Sequence, residues 1–424
     1  MPWLFLLALL SADPAMFRAG PTHTGVYPAP AGISTLKWKY KTGAKIFSSP
    51  AVADGLVYVG SSDHNLYALS AADGSVRWKA TTNGAVNSSP AVADGTVFFN
   101  SLDGNFYAVS AADGKIKWKF KTEGERRFTA PGIHGANPRT ETMPDPYDVF
   151  LSSPALAGDT VYFGSGDRNV YALDAATGEL KWKFATGDVV HASPAVAGGV
   201  VYIGSWDRYL YALNAGTGAV LWRFQTGDDP LIHNQIGIAS SAAVADGVVY
   251  FGCRDGHFYA VDAKTGKEKW NIDNHHGWVI ASPAVRDNVV YFPTADGQRF
   301  KAVDAGTGTP RFDIAMKAIS FSSPALAGNT AYFGTSDGWL HAVDVTSGKV
   351  SAEFQTDGSQ ANASKYLDKD GRIAGSVYPD STLDGIIIGL DRMFSLGSIL
   401  SSPAVAGGAV YFGSTDGYVY ALQQ

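Results

Sequence analysis

The sequence predicts an all-β fold, an eight-bladed β-propeller of four-stranded antiparallel blades, and three observations predict it. A Ser-Ser-Pro-Ala-Val signal or a close variant recurs eight times. Its proline is Pro50, Pro90, Pro154, Pro194, Pro283, Pro324 and Pro403, and Ala242 takes that place in the fifth copy. The steps between copies are 40, 64, 40, 48, 41, 41 and 79 residues, and the base period is that of one propeller blade. An aromatic residue recurs late in each repeat, as Trp38, Trp78, Trp118, Trp182, Trp222, Trp270 and Phe312, with Ala352 at the eighth place. Finally, the last repeat stops at Tyr420-Ala421-Leu422 without a fourth strand, while an extra fourth strand, residues 36–40, precedes the first repeat.

Residues 48–84 show how each element arises. Ser-Pro-Ala-Val opens a short strand A, where a proline's missing N–H costs least. Asp54-Gly55 is a hairpin turn of the kind that needs positive φ. Residues 56–60, apolar with β-branched and aromatic members, read as strand B, and 66–69 as strand C after a polar turn. Asp73-Gly74 turns the chain into strand D, residues 76–80, which carries Trp78. An aromatic at this fixed place packs between one blade and the next, where truncating Trp or Phe costs about 3–5 kcal/mol. The seam at Ala352 is therefore expected to be the weakest. Aspartates recur in the B–C turns, as Asp63, Asp103, Asp167, Asp207, Asp255, Asp296, Asp337 and Asp416, and are expected to cap those turns. The N-terminal strand is expected to complete the last blade, which removes an open sheet edge.

Composition narrows the function classes. Hydrophobic residues make up 46% and charged residues 17%, which excludes a disordered chain. A net charge of −6 supplies no global field for nucleic acid. Cys253 is the only cysteine, so an intramolecular disulfide and a CxxC metal site are excluded. No stretch reaches membrane-spanning length. Residues 1–12 are expected to be a signal peptide, with an apolar run from Trp3 to Leu10 and small residues Ser11 and Ala12. Residues 13–33 form an N-terminal extension and 34–424 the propeller. The expected location is periplasmic or secreted, without a lipid anchor because no cysteine follows the apolar run, and the expected state is monomeric.

The run VYFGSGDRNVYALDAATGELKW, residues 161–182, resembles the repeat of pyrroloquinoline-quinone (PQQ) enzymes and their non-enzymatic relatives, and the likeness extends from Leu36 to Leu422. Met16-Phe17-Arg18 and His23-Thr24-Gly25 resemble the segment that precedes such propellers. The resemblance implies one of two roles. Quinoprotein alcohol dehydrogenases hold PQQ with Ca2+, and many place two adjacent cysteines over the quinone. The BamB-like group has no cofactor and acts as a scaffold. With one cysteine and no matching calcium-ligand set, the expectation is a binding or scaffold propeller without a cofactor, and a small PQQ-dependent dehydrogenase is the alternative.

Topology selects the face. The A–B and C–D turns are monotonous, whereas three insertions, near residues 124–149, 228–237 and 357–397, all fall in D–A connections. They decorate one mouth, shared with the B–C turns, and loops on a rigid scaffold are where binding resides. This mouth gathers Arg126, Arg127, His134, Arg168, His191, Trp206, Arg208, His233, Asn234, Arg254, His275 and Trp278. Arginine forks suit carboxylate or phosphate groups, so the expected occupant is a protein partner or a small anionic ligand. The histidines lack a tight metal-ligand spacing, and no metal site is expected.

Overall fold

The structure, a computed structural model, describes residues 15–228, 236–275 and 277–424. The expected signal peptide and most of the 228–237 insertion, with His233 and Asn234, lie outside the described residues. Eight four-stranded antiparallel sheets surround a central axis, with strand A innermost and strand D outermost. Blade 1 consists of Ala51–Ala53, Leu56–Ser61, Asn65–Ser70 and Val76–Thr81. Blades 2 to 7 begin at Ala91–Ala93, Ala155–Ala157, Ala195–Ala197, Ala243–Ala245, Ala284–Arg286 and Ala325–Ala327.

Blade 8 is built from both ends of the chain. Thr35–Lys41 pairs antiparallel with Tyr418–Gln423, with Lys39 opposite Tyr420 and Tyr40 opposite Val419. The second serine of each repeat then joins the blades to one another. The Ser49 N–H donates to the Ser89 hydroxyl at 3.0 Å, Ser89 to Ser153 at 3.0 Å, Ser153 to Ser193 at 2.9 Å and Ser193 to Ser241 at 2.8 Å. Ser241 continues to Ser282 at 3.0 Å, Ser282 to Ser323 at 2.9 Å, Ser323 to Ser402 at 3.0 Å and Ser402 back to Ser49 at 2.8 Å. One buried hydrogen bond per seam thus closes into a circle.

The seam aromatics act further out. Each indole N–H donates to an alanine carbonyl of the next blade, as Trp78 does to Ala111 at 2.9 Å and Trp182 to Ala215 at 2.8 Å. Each ring also lies over the C–D turn glycine of that blade: a Cβ on Gly114 would sit 2.5 Å from Trp78. The B–C aspartates cross the seam as well. Asp63 caps its own turn through the Asn65 N–H, accepts the Tyr67 hydroxyl at 2.7 Å and accepts the Gly43 N–H of the preceding blade at 2.7 Å. At the Ala352 seam the N-terminal extension takes over: Tyr332 donates to the Ala31 carbonyl, and Tyr27, Ala31 and Ile33 pack into the same apolar cluster.

The extension also plugs the channel. Carbonyls of Pro21, Thr22, Thr24 and Gly25 accept the strand-A N–H groups of Val196, Val244, Val285 and Leu326, and Val26–Tyr27 adds a short parallel strand to blade 7. Arg18 is buried and donates to the carbonyls of Pro283 and Pro324. Burial lowers its pKa to about 10. His23, pushed down to about 3 by burial and then by Arg18, is neutral at neutral pH.

Two outcomes follow from this closure. Ser89→Ala strands the buried Ser49 N–H, so guanidinium unfolding should show a loss of about 1–3 kcal/mol; an unchanged midpoint would refute the ring as a source of stability. Deleting residues 34–43 exposes the edge of Tyr418–Gln423, and size-exclusion chromatography should then show aggregation. A monomer with an unchanged melting temperature would refute the assigned closure.

Candidate functional site: a lidded mouth

Two insertions cover the D–A/B–C mouth. The first folds as a hairpin, Thr129–Pro131 against Thr142–Pro144. The second contains α1 (Asp357–Tyr366) and α2 (Leu383–Ser395), whose first turns are capped by Thr356 and Thr382. On α2, Ile386, Leu390, Met393 and Phe394 face inward at helical spacing and join Phe128, Ile133, Met143, Trp206, Trp278 and Phe321 in one apolar cluster over the channel. The insertions hold each other through the Tyr147 and Tyr378 hydroxyls at 2.8 Å and through the Asn137 N–H to the Ser381 carbonyl at 3.0 Å.

A buried polar core pins the lid to the blades. The Arg254 guanidinium lies between the indoles of Trp206 and Trp278, 4.4 and 4.2 Å from the ring centroids, a cation–π sandwich. Its charge meets Asp145, whose other oxygen contacts His134 at 2.8 Å and accepts the Tyr147 N–H at 2.8 Å. Burial alone would raise the Asp145 carboxyl; Arg254 and then His134 outweigh it and hold it well below the usual carboxylate range. Deeper in, His191 contacts Asp148 at 2.6 Å, and Asp148 accepts the Phe128 N–H at 2.7 Å. Glu125 lies 3.6 Å from the other His191 ring nitrogen and accepts the Ser165 hydroxyl at 2.6 Å and the Gly166 N–H at 2.7 Å. Burial opposes the charged imidazole, but Asp148 and Glu125 prevail and raise its pKa to about 10.

The structure therefore brings together His134, Trp206, Arg254 and Trp278, with His191 below them, and separates the rest. Arg126, Arg127 and Arg168 are exposed, Arg208 pairs with Asp228 at 3.2 Å, and the His275 side chain is 91% exposed. The cations gathered at this mouth do not all converge, and those inside it are neutralised. The reason is physical: a buried guanidinium or imidazolium needs a counter-charge. Asp145, Asp148 and Glu125, absent from the sequence-derived set, supply it. Their signal was legible, since all three sit in the same insertion as His134.

Between lid and plug remains a cavity of about 50 Å³, lined by the serine ring together with Phe17, Phe47, Phe150, His191 and Phe321. It has room for a few waters. This one cavity is smaller than the roughly 300–1,000 Å³ of typical small-molecule sites. Cys253 is buried in the blade 5 core, its thiol 3.4 Å from the Gly237 carbonyl. Among the described residues no three His, Cys, Asp or Glu side chains gather to hold a metal ion, and no helix is long and apolar enough to cross a membrane.

Eightfold blades, seam indoles and chain-end closure define the class: a PQQ-repeat β-propeller, here with insertions packed over one mouth and the N-terminal extension along the strand-A edges. The chain belongs to the family described as outer membrane protein assembly factor BamB, which matches residues 31–132, 136–273 and 235–378. No curated protein sequence matches significantly. Among solved structures, BamB from Moraxella catarrhalis superposes with a TM-score of 0.65 at 17% identity, over 92% of this chain and 97% of that one. Quinohemoprotein alcohol dehydrogenase ADHIIG from Pseudomonas putida HK5 gives 0.69 at 16%, over 96% and 80%. The computationally designed Ika8 protein gives 0.66 at 16%, over 93% and 100%. A designed protein superposes as well as a natural one, so these likenesses establish the fold alone.

The His191 cluster gives a pH dependence. An unfolded histidine titrates near 6.5, so a folded value of about 10 makes its stabilisation complete below about pH 6.5 and lost as pH rises towards 10. Melting temperatures measured at about pH 6 and about pH 9.5 should differ less in His191→Gln than in the parent. An equal difference in both would show that His191 is not held protonated.

Proposed function

We propose that this chain is an extracytoplasmic scaffold that binds a protein partner through the lidded D–A/B–C face. The observation that carries this reading is a groove of about 360 Å³ on the outside of the lid, at the junction of α2, the first insertion and blades 1 and 2. Phe47, Leu102, Pro144, Val149 and Ile387 supply its apolar walls, and Ile387 is 42% exposed. Lys45, paired with Asp391 at 2.6 Å, and the exposed Arg127 stand at its rim. An apolar anchor beside an acidic residue is the peptide chemistry this groove suits. The family description, an assembly factor, agrees with a scaffold role. The apolar run at residues 3–10 supports export.

Incorporating a photo-crosslinking amino acid at Ile387 in cells should yield a discrete adduct with another protein. The same probe at Asp94, on the opposite face, should not, and Ile387→Glu should abolish an adduct formed from position Arg127. Adducts of equal yield from both faces would refute the assigned surface. A quinone titration with and without calcium tests the oxidoreductase alternative: no change in melting temperature is expected. Calcium-dependent sub-micromolar binding with dye-linked alcohol oxidation would replace the scaffold reading.

A further inference from the structure

The outermost strands divide the perimeter into two halves of different charge. In blades 8, 1, 2 and 3 these strands are Thr35–Lys41, Val76–Thr81, Ile116–Lys121 and Leu180–Ala185, and together they hold ten basic residues and no acidic one. The corresponding strands of blades 4 to 7, Val220–Gln225, Glu268–Asp273, Pro310–Ala315 and Lys349–Gln355, hold four of each sign. Lysines on edge strands discourage edge-to-edge aggregation. That role does not require segregation, because the mixed charges of blades 4 to 7 serve an edge equally well. A continuous basic half on a chain of net charge −6 needs a further reason.

The charges are held at the ends of this arc and open in its middle. Lys39 pairs with Asp357, Lys183 with Glu123 at 2.5 Å and Lys181 with Asp159 at 2.7 Å. Lys117 donates to the Gly95 carbonyl and to Thr96. Among the described residues no carboxylate lies within ion-pair distance of Arg77, Lys79, Lys119 or Lys121, all exposed. Exposed pairs of this kind contribute little, so the outer lysines can exchange partners when an anion arrives. At the C–D turn end of the same strands Leu36, Val76, Ile116 and Leu180 are 40–53% exposed, leaving an aliphatic row beside the lysines.

We propose that the outer strands of blades 8, 1, 2 and 3 form a docking surface for an extended acidic polypeptide. Three features select that partner. Four adjacent blades of eight span half the circumference, and only a flexible chain can follow such a curve; a bilayer or a rigid duplex touches one sector of it. Single-stranded nucleic acid binds through exposed aromatic platforms, whereas here Trp78 and Trp182 are buried and Trp118, Tyr40 and Phe120 are partly covered. Nine of the ten cations are lysines, compact charges that suit scattered carboxylates rather than bidentate phosphate recognition, and the aliphatic row suits apolar side chains interspersed among them. This surface is separate from the lidded mouth and does not depend on what binds there.

The test is fluorescence anisotropy of the full chain with labelled poly-L-glutamate, with a single-stranded oligodeoxynucleotide of matched charge and phosphatidylglycerol vesicles as comparators. Polyglutamate binding is expected and should weaken as salt shortens electrostatic range. The combined reversal Lys79→Glu, Lys119→Glu and Lys121→Glu should weaken it by about tenfold or more. The control reversal Lys264→Glu, Lys269→Glu and Lys349→Glu should change it by less than about twofold. Should the first variant not fold, judged by circular dichroism, Lys→Gln at the same three positions should still weaken binding more than the control. Absent binding, equal loss in both variants, or tighter binding of oligonucleotide or vesicles through the same lysines would overturn the proposal.

Discussion

The structure rests on eight short hydrogen bonds that close on themselves. Each N–H of the second serine in a repeat reaches the hydroxyl of the same serine in the next blade, and the last reaches the first. A single bond of this kind contributes about 1 kcal/mol net. In a circle the bonds also set a common height for all eight strand-A termini. That register is what lets each seam indole meet the alanine carbonyl and turn glycine of its neighbour, and lets six of the B–C aspartates accept an N–H across the seam. The ring uses a serine at one place in every repeat, and Ser241 keeps it even where Ala242 replaces the proline.

A closed ring must absorb the ends of the chain, and here both ends do structural work. The N-terminal strand completes blade 8. The residues before it fill the seam that Ala352 leaves without an indole, and bond the strand-A edges of five blades. The expectation of a weakest seam at Ala352 was sound reasoning about one side chain. It did not account for Tyr27, Ala31 and Ile33, which occupy that space from elsewhere in the sequence.

Repetition made the fold legible. Blade count and strand order follow from a signal present eight times, the seam aromatics from one present seven times, and the chain-end closure from the single repeat that lacks its fourth strand. The site was legible only as a face. Position alone marks Arg254, Trp206 and Trp278 as ligand-binding candidates, yet the guanidinium lies between the two indoles and pairs with Asp145 beneath the lid. Whether an arginine faces solvent or a buried carboxylate depends on how a 26-residue insertion folds, and no periodicity reports that. Charge balance within the insertion is the available clue, because its histidine and arginines stand in the same segment as Glu125, Asp145 and Asp148.

The departures from the repeat are where individuality enters. In six blades a B–C aspartate accepts a strand-C tyrosine hydroxyl, as Asp103 does from Tyr107. Blade 6 has Lys301 in place of the tyrosine, and its ammonium donates instead to Asn274 at 2.7 Å. Blade 7 has His341, which contacts Glu353 at 2.8 Å and Thr335 at 3.0 Å. Asp296 and Asp337, each without a tyrosine hydroxyl, then have carboxyl pKa values raised by burial, although Asp337 still accepts the Thr335 hydroxyl at 2.5 Å. Asp296 lies within electrostatic reach of His134 and Arg254, so the break in blade 6 sits beneath the lid's polar core. On this side of the mouth the first insertion also meets blade 5, where Asp145 pairs with Arg254. There the insertions pack over the channel with Trp206, Trp278 and Phe321.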